Sequence, residues 1–189
     1  MTGRIFTADH HVYDLPPLLS WNVRHTGTVP CDSWSVTAVY QPEMLPVLQM
    51  AAGFAAIEDG MTQLRGIVDE YTVELGSGGM TVTLSGRGYA ARLLDNESRP
   101  VTYEQVTLRE LIRCHAEPYG ISCGAAADLR STVPYTAGVG ISQWKVISEF
   151  CRTYGGFLPR FAKTGELLAT PEQDSGKRII LDSGSPVLN

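Results

Sequence analysis

The chain of 189 residues (20.6 kDa) is 43% hydrophobic, enough apolar side chain for one large domain or two small ones with a real core. A net charge of -5 and a pI near 5.3 argue against sequence-independent nucleic-acid binding, which needs clustered Lys and Arg to displace counterions. No run of 18 or more apolar residues exists, and Met1-Thr2-Gly3-Arg4 leads into His10 and His11 instead of an apolar signal core, so the expectation is a folded protein with no membrane span, made and kept in a cytoplasm.

Residues 1–30 carry mixed signals. Val12, Leu15, Leu18 and Leu19 open a strand, Pro16-Pro17 interrupts it, and Trp21 and Val23 start another that ends near Gly27. From Ser33 the pattern sharpens, with Trp34, Val36, Ala38 and Tyr40 facing one way and Ser33, Ser35, Thr37 and Val39 the other. An apolar segment over 44–52 follows, then a short strand over 54–57. Asp59-Gly60 predicts a type I′ hairpin, because both central positions of that turn need positive φ. The returning strand covers 61–68, and Gly66 inside it points to a bulge or a close backbone approach. A further strand carries Tyr71, Val73 and Leu75, and Gly76-Ser77-Gly78-Gly79 turns it into the next.

The stretch over 80–100, MTVTLSGRGYAARLLDNESRP, divides two kinds of sequence. Met80, Val82 and Leu84 alternate with Thr81, Thr83 and Ser85, as in a strand buried on one face. That strand is expected to stop at a tight turn, Gly86-Arg87-Gly88. Tyr89, Ala90, Leu93 and Leu94 then fall at helical spacing for about two turns. Beyond Pro100 the period changes. Thr107 and Glu110 form a capping box, Leu108, Leu111, Ile112 and His115 line one helix face, and Pro118 with Gly120 ends it. A second helix starts at Ser142, carries Trp144, Ile147, Phe150, Cys151 and Tyr154, and ends at Gly155-Gly156. Thr107 to Tyr119 and Ser142 to Tyr154 share a spacing of twelve residues, which a duplication or a common need for an aromatic anchor and glycine cap would equally produce. The connector over 130–140 reads as an exposed loop, and residues 157–161 and 166–170 as a hairpin around Lys163-Thr164-Gly165. A polar linker from Glu172 to Lys177, a strand over 178–181 and a turn over 182–186 close the chain.

The fold class read from this order is α+β. Residues 1–100 form an antiparallel β-barrel or sandwich, 101–173 an α+β module with two helix-strand units, and 174–189 a linker and the start of a possible further β domain.

The string SGRGYAARLLDNE, preceded by LRGIVDE at 64–70 and followed by a helix ending in PYGI, resembles the hub proteins of phage tail baseplates. That family is shared by contractile and long flexible tails and is related to the trimeric spike bases of bacterial secretion systems. The resemblance runs from about Leu18 to Thr170. It implies a homotrimer whose barrels form a ring continuing the tail tube, with the α+β modules receiving the spike and the peripheral baseplate proteins. In that family two barrels per chain let a trimer mimic a six-fold tube, and a second barrel would begin near residue 174. Only one is visible, so the expectation is a trimmed fragment or a shortened relative, which as an isolated chain is a monomer. The implied place is the virion tail, with the host cytoplasm during assembly.

Candidate chemistry is sparse. Gly86-x-Gly88-x-x-Ala91 is a permitted variant of the dinucleotide fingerprint, but the strand before it alternates and no apolar strand returns after Asp95-Asn96, so it reads as a structural turn. Arg87 suits a surface or inter-subunit salt bridge better than a phosphate clamp. His10, His11, His25 and His115 offer no metal-ligand spacing with one another or with Cys31, Cys114, Cys123 and Cys151, and the cysteines, without a CxxC pair, are expected reduced. Cys114 and His115, adjacent on a helix, point about 100° apart and cannot act as nucleophile and base. Asp69, Glu70, Asp95 and Glu97 could supply a carboxylate pair for glycoside hydrolysis, which keeps a cell-wall-degrading tail-tip domain as the alternative function. Trp34, Tyr40, Tyr71 and Trp144 sit at periodic apolar positions and read as core. No catalytic, cofactor-binding or metal residue is assigned, no cofactor is expected, and the partners expected are tail tube, spike and peripheral baseplate proteins, not a specific nucleic-acid sequence. The exposed strand faces over 67–75 and the Gly86–Gly88 segment are the expected contact surfaces.

Overall fold

The computed structural model describes residues 1–27 and 30–172; the linker, strand and turn expected over 173–186 lie outside them. Strand β1 (Thr2–Thr7) buries Gly3, Ile5 and Thr7, and β2 (Val12–Asp14) turns back along it. Strand β3 (Leu18–Arg24) pairs with β4 (Ser33–Val39), which buries Trp34, Val36 and Ala38 as its alternation predicts. A 3-10 turn (Pro42–Met44) and the short helix α1 (Leu45–Gln49) carry Met44 and Leu48 into the core. Strands β5 (Ala51–Glu58) and β6 (Met61–Gly76) then form a hairpin whose turn has φ of 51° at Asp59 and 75° at Gly60, the two positive values expected there. Strand β7 (Gly79–Gly88) returns along β6.

These seven strands make one antiparallel sheet in the order β2-β1-β5-β6-β7-β4-β3. Among the described residues nothing pairs β2 with β3, so the antiparallel sheet expected as a barrel or sandwich is curled and open and does not close into a barrel. The three-residue β2 runs into Pro16 and Pro17, which have no N–H to offer a closing ladder. The curl is visible in the core. Trp34 on β4 and Phe54 on β5 are rooted three strand steps apart, about 14 Å in a flat sheet at ~4.8 Å per step, yet their rings stack at 3.8 Å.

Glycines make that stacking possible, and they overturn the expected turn at 86–88. Gly86 and Gly88 lie inside β7, not at a turn. A Cβ on Gly86 would collide with the Ile67 carbonyl and come within 2.9 Å of the Trp34 indole, while one on Gly66 would collide with the Arg87 carbonyl. Bare backbone is therefore the floor on which Trp34 lies, and its Nε1–H donates to the Ile67 carbonyl at 3.1 Å. The close approach expected at Gly66 is this one. The two strands expected over 61–75 are a single strand, because a bulge between Val68 and Glu70 absorbs the break in alternation.

After β7 comes one turn of helix, α2 (Ala91–Leu94), then β8 (Val101–Tyr103) and α3 (Leu108–His115). The capping box on α3 is complete, with Glu110 N–H donating to Thr107 Oγ1 at 3.3 Å and Thr107 N–H donating to Glu110 Oε2 at 2.8 Å. A 3-10 turn (Glu117–Tyr119) and Gly120 at φ 71° lead into β9 (Cys123–Ala126). The connector expected as a loop contains β10 (Tyr135–Ala137), which pairs with β8 because Tyr135 is anchored edge-on against Phe150 and donates its hydroxyl to the Val146 carbonyl at 2.7 Å. Helix α4 (Gln143–Gly155) is capped by Ser142, and the hairpin β11 (Arg160–Phe161) and β12 (Leu167–Ala169) follows it, with β9 parallel to β12. The two helices differ in detail, since Tyr154 lies inside α4 whereas Tyr119 lies beyond the end of α3.

Two apolar clusters result. One is enclosed by the curled sheet and α1, around Trp34, Phe54, Leu64 and Leu84. The other joins Leu93 of α2 to Leu111, Ile112, Ile147 and Phe150 of α3 and α4.

Candidate functional site

The β6–β7 hairpin outgrows the sheet that supports it. Pairing with β5 ends at Gly53 and Ile67, and beyond it, among the described residues, residues 68–76 of β6 have a strand neighbour on one side only, β7. Opposed residues of an antiparallel pair share a face. Tyr71, Val73 and Leu75 therefore stand with Leu84, Val82 and Met80 on the face that forms the sheet core. That apolar stripe runs off the end of its own cover, leaving Leu75 80% and Met80 42% exposed. At the opposite edge of the sheet β3 repeats the situation. Trp21 shares the core face of Val36 and is 50% exposed.

A cleft of about 580 Å³ separates the far end of the sheet from the β11–β12 hairpin, with Arg65, Tyr89, Phe157, Phe161 and Lys163 on its walls. Arg65 sits over the rings of Phe6 (4.8 Å) and Tyr89 (5.8 Å), while Arg92 covers the Tyr89 ring at 4.6 Å. Lys163 Nζ donates to Gln63 Oε1 at 2.7 Å, tying the hairpin to the sheet. His25 Nδ1 lies 3.0 Å from Asp32 Oδ2 at the rim, and Thr26 N–H donates to the same carboxylate at 2.9 Å. These contacts clamp elements together.

The residues singled out for chemistry are placed in structural contacts. Arg87 donates to Asp69 (2.8 and 3.0 Å) and to Asp95 (3.1 and 2.8 Å), so the guanidinium joins the β6 bulge to the end of α2 and the salt bridge is intramolecular. Hydrogen bonds from Arg87 hold the Asp95 carboxyl below its ordinary range, and those to the two carboxylates raise Arg87 itself. Glu70 accepts from the Ser85 hydroxyl at 3.0 Å and Glu97 from the Gly140 amide at 2.8 Å. The Gly86-x-Gly88 segment lies between antiparallel neighbours β4 and β6 and precedes a helix of four residues. Trp34 is buried and Tyr40, Tyr71 and Trp144 are half-buried against the two clusters.

His115 belongs to a polar network that the sequence did not announce. Gln143 Nε2 donates to the Glu97 carbonyl (3.0 Å) and to Tyr119 Oη (2.8 Å), so its Oε1 accepts from His115 Nδ1–H at 2.6 Å. His115 Nε2 faces the Tyr103 hydroxyl at 3.0 Å. The network links β8, α3 and α4 inside the second cluster. Cys114, on the neighbouring position, is exposed. All four cysteines are free, and burial pushes the Cys151 thiol up to about 12, which keeps it protonated and inert. Among the described residues no three His, Cys, Asp or Glu side chains converge as metal ligands.

An open, curled antiparallel sheet followed by a two-helix α+β unit is the class that the fold defines. The chain shares it with tail proteins of known structure. The crystal structure of the tail protein from Neisseria meningitidis MC58 superimposes with a TM-score of 0.65 at 16% identity, over 88% of this chain and 49% of that one. The 43 kDa tail protein of prophage MuSo2 from Shewanella oneidensis gives 0.61 at 16% identity, over 90% of this chain and 54% of its own. The chain thus spans about half the length of these two proteins. No protein-family model and no curated protein sequence matches it. At this identity the likeness is one of fold.

Proposed function

We propose that this chain is a structural component of a phage or phage-like tail baseplate, a hub or adaptor between tail tube and spike. The observation that carries the reading is the fold, shared over 88% and 90% of the chain with two tail proteins, one of them from a prophage. Its work is mechanical. The chain meets copies of itself and other tail components through strand edges and apolar faces, as a homotrimer in the assembled tail with tube and spike at opposite faces. The chain is organised for this as two units, 1–100 and 101–173, the first contributing to the ring and the second receiving spike and peripheral baseplate proteins. Its place is the virion tail, reached from the host cytoplasm during assembly.

The carboxylates support a structural role over wall hydrolysis. Asp69 and Asp95 share one guanidinium, an ion-paired arrangement that suits a brace better than an acid and base flanking a sugar bond. The test is electron microscopy of particles released by prophage induction in the source cell, labelled with serum raised against this chain. Label confined to the tail end far from the head, or to one end of a headless tail, is expected. Protein found soluble with no tail labelled would overturn the reading, as would clearing of cell walls by the purified chain that disappears in Asp69→Asn or Asp95→Asn.

A further inference from the structure

Two open stretches of the sheet, the outer edge of β3 and the part of β6 beyond its pairing with β5, are unlike each other and complementary. We infer that they join copies of this chain head to tail, the β3 edge of one copy adding as a strand to the open stretch of β6 in the next. The inference deepens the tail-component reading by naming the contact between copies.

Lengths match first. The free edge of β3 offers seven residues, Leu18–Arg24, and β6 beyond its bulge offers seven more, 70–76. Faces match next. On β3 the core-facing side chains are Leu18, Trp21 and Val23, with a break in register between Leu18 and Ser20; on β6 they are Tyr71, Val73 and Leu75. Strand addition that keeps the two core faces on one side sets Trp21, 50% exposed in one copy, beside the stripe ending in Leu75, 80% exposed in the next. Each supplies the apolar cover that the other lacks. Charges match last. On the opposite face β3 presents Ser20, Asn22 and Arg24, and β6 presents Glu70, Thr72 and Glu74. Arg24 and Glu74 are exposed and make no hydrogen bond or ion pair among the described residues, and Glu70 holds one hydroxyl only. Two β6 edges brought together would instead oppose carboxylates to carboxylates.

A long exposed strand edge with apolar side chains invites association unless it is blocked. Neither 18–24 nor 70–76 contains proline or lysine, two residues that commonly block such an edge. A contact between two different surfaces leaves one free edge at each end of a pair, so it propagates to a ring or an open chain of copies. One seven-residue strand pairing is a small interface, so in isolation it is weak.

The test is a charge exchange read by sedimentation velocity, from about 10 μM to about 1 mM chain. The unaltered chain is expected to associate at the upper end of that range. Arg24→Glu and the double variant Glu70→Arg/Glu74→Arg, each alone, are expected to stay monomeric, while their equimolar mixture associates at least as strongly as the unaltered chain. Circular dichroism checks that both fold, as exposed changes should permit. Three results overturn the inference: an unaltered chain monomeric throughout, either variant alone associating like the parent, or a mixture that stays monomeric. Arg24→Glu associating like the parent would specifically indicate β6-to-β6 pairing. Association of the mixture with no tail labelled would keep the contact and remove the tail assignment; labelled tails with no association would do the reverse.

Discussion

The two apolar clusters are built by opposite means. The sheet encloses its core by curling, with Trp34 laid across bare glycine backbone to reach Phe54, and among the described residues it leaves both edges and the top of the β6–β7 stripe uncovered. The helical unit closes its core completely, packing Phe150, Ile147 and Leu111 around a buried amide and imidazole whose polar atoms are paired. A core that stops short of covering its own strands suits a part that joins others. A closed core with an internal polar network suits a part that keeps its shape when they do.

Breaking the stack should affect the sheet most. Trp34→Ala removes the largest side chain of that cluster and is expected to cost about 3–5 kcal/mol. Gly86→Ala should cost about 1–3 kcal/mol or more for the opposite reason, since its methyl meets the Ile67 carbonyl and the indole. Denaturant titration gives the sizes. Hydrogen exchange followed by mass spectrometry sharpens the contrast: protection should fall across β4 to β7 while α3 and α4 keep theirs. Equal loss everywhere would mean that the two clusters unfold as one.

That experiment bears on how the sequence reads, because these glycines hid the most. Alternation in Trp34, Val36 and Ala38, the Asp59-Gly60 turn and the Thr107-Glu110 cap are local signals, and each is found where its residues place it. Gly86 and Gly88 look like a turn because a glycine is silent about its reason; for Gly86 the reason is the Ile67 carbonyl and the Trp34 indole, and for Gly88 it is the close side chain of Asp32. Strand β1 went unread for the same cause. Its Gly3 makes room for Leu15 and Phe54, while only Ile5 and Phe6 give it apolar character. An open edge is equally invisible in sequence, since it depends on where the neighbouring strand ends. The contact surface expected over 67–75 does coincide with the exposed stripe, because Leu75 and Val73 alternate past the point at which β5 stops.

The polar network offers a smaller effect on the other side of the comparison. Gln143→Leu keeps volume in the helical core but strands the imidazole N–H of His115 and the hydroxyl of Tyr119. An expected loss of about 1–3 kcal/mol per stranded group would appear as a lower unfolding midpoint with exchange protection falling in α3 and α4 and unchanged in the sheet. At the start of α3, Thr107→Ala removes the cap and should cost about 1 kcal/mol, with Thr107→Ser restoring most of it.

The smallest effect lies where the two regions meet. Arg87 fastens the β6 bulge to the end of α2, and replacing it with alanine frees two carboxylates that are partly solvated, with side-chain exposures of 33% and 51%. Solvent screening of such pairs keeps the expected loss to about 1 kcal/mol or less near neutral pH. Its pH dependence identifies it. Because Arg87 depresses the Asp95 carboxyl in the folded chain, the stabilisation is fully present above the ordinary carboxylate range and is lost as pH falls through the lowered value. The unaltered chain should therefore lose its advantage over Arg87→Ala progressively below about pH 4, and the two should converge in acid. Parallel stability curves across that range would mean that the guanidinium is held by packing alone. Convergence would show that this brace between the sheet and α2 is electrostatic.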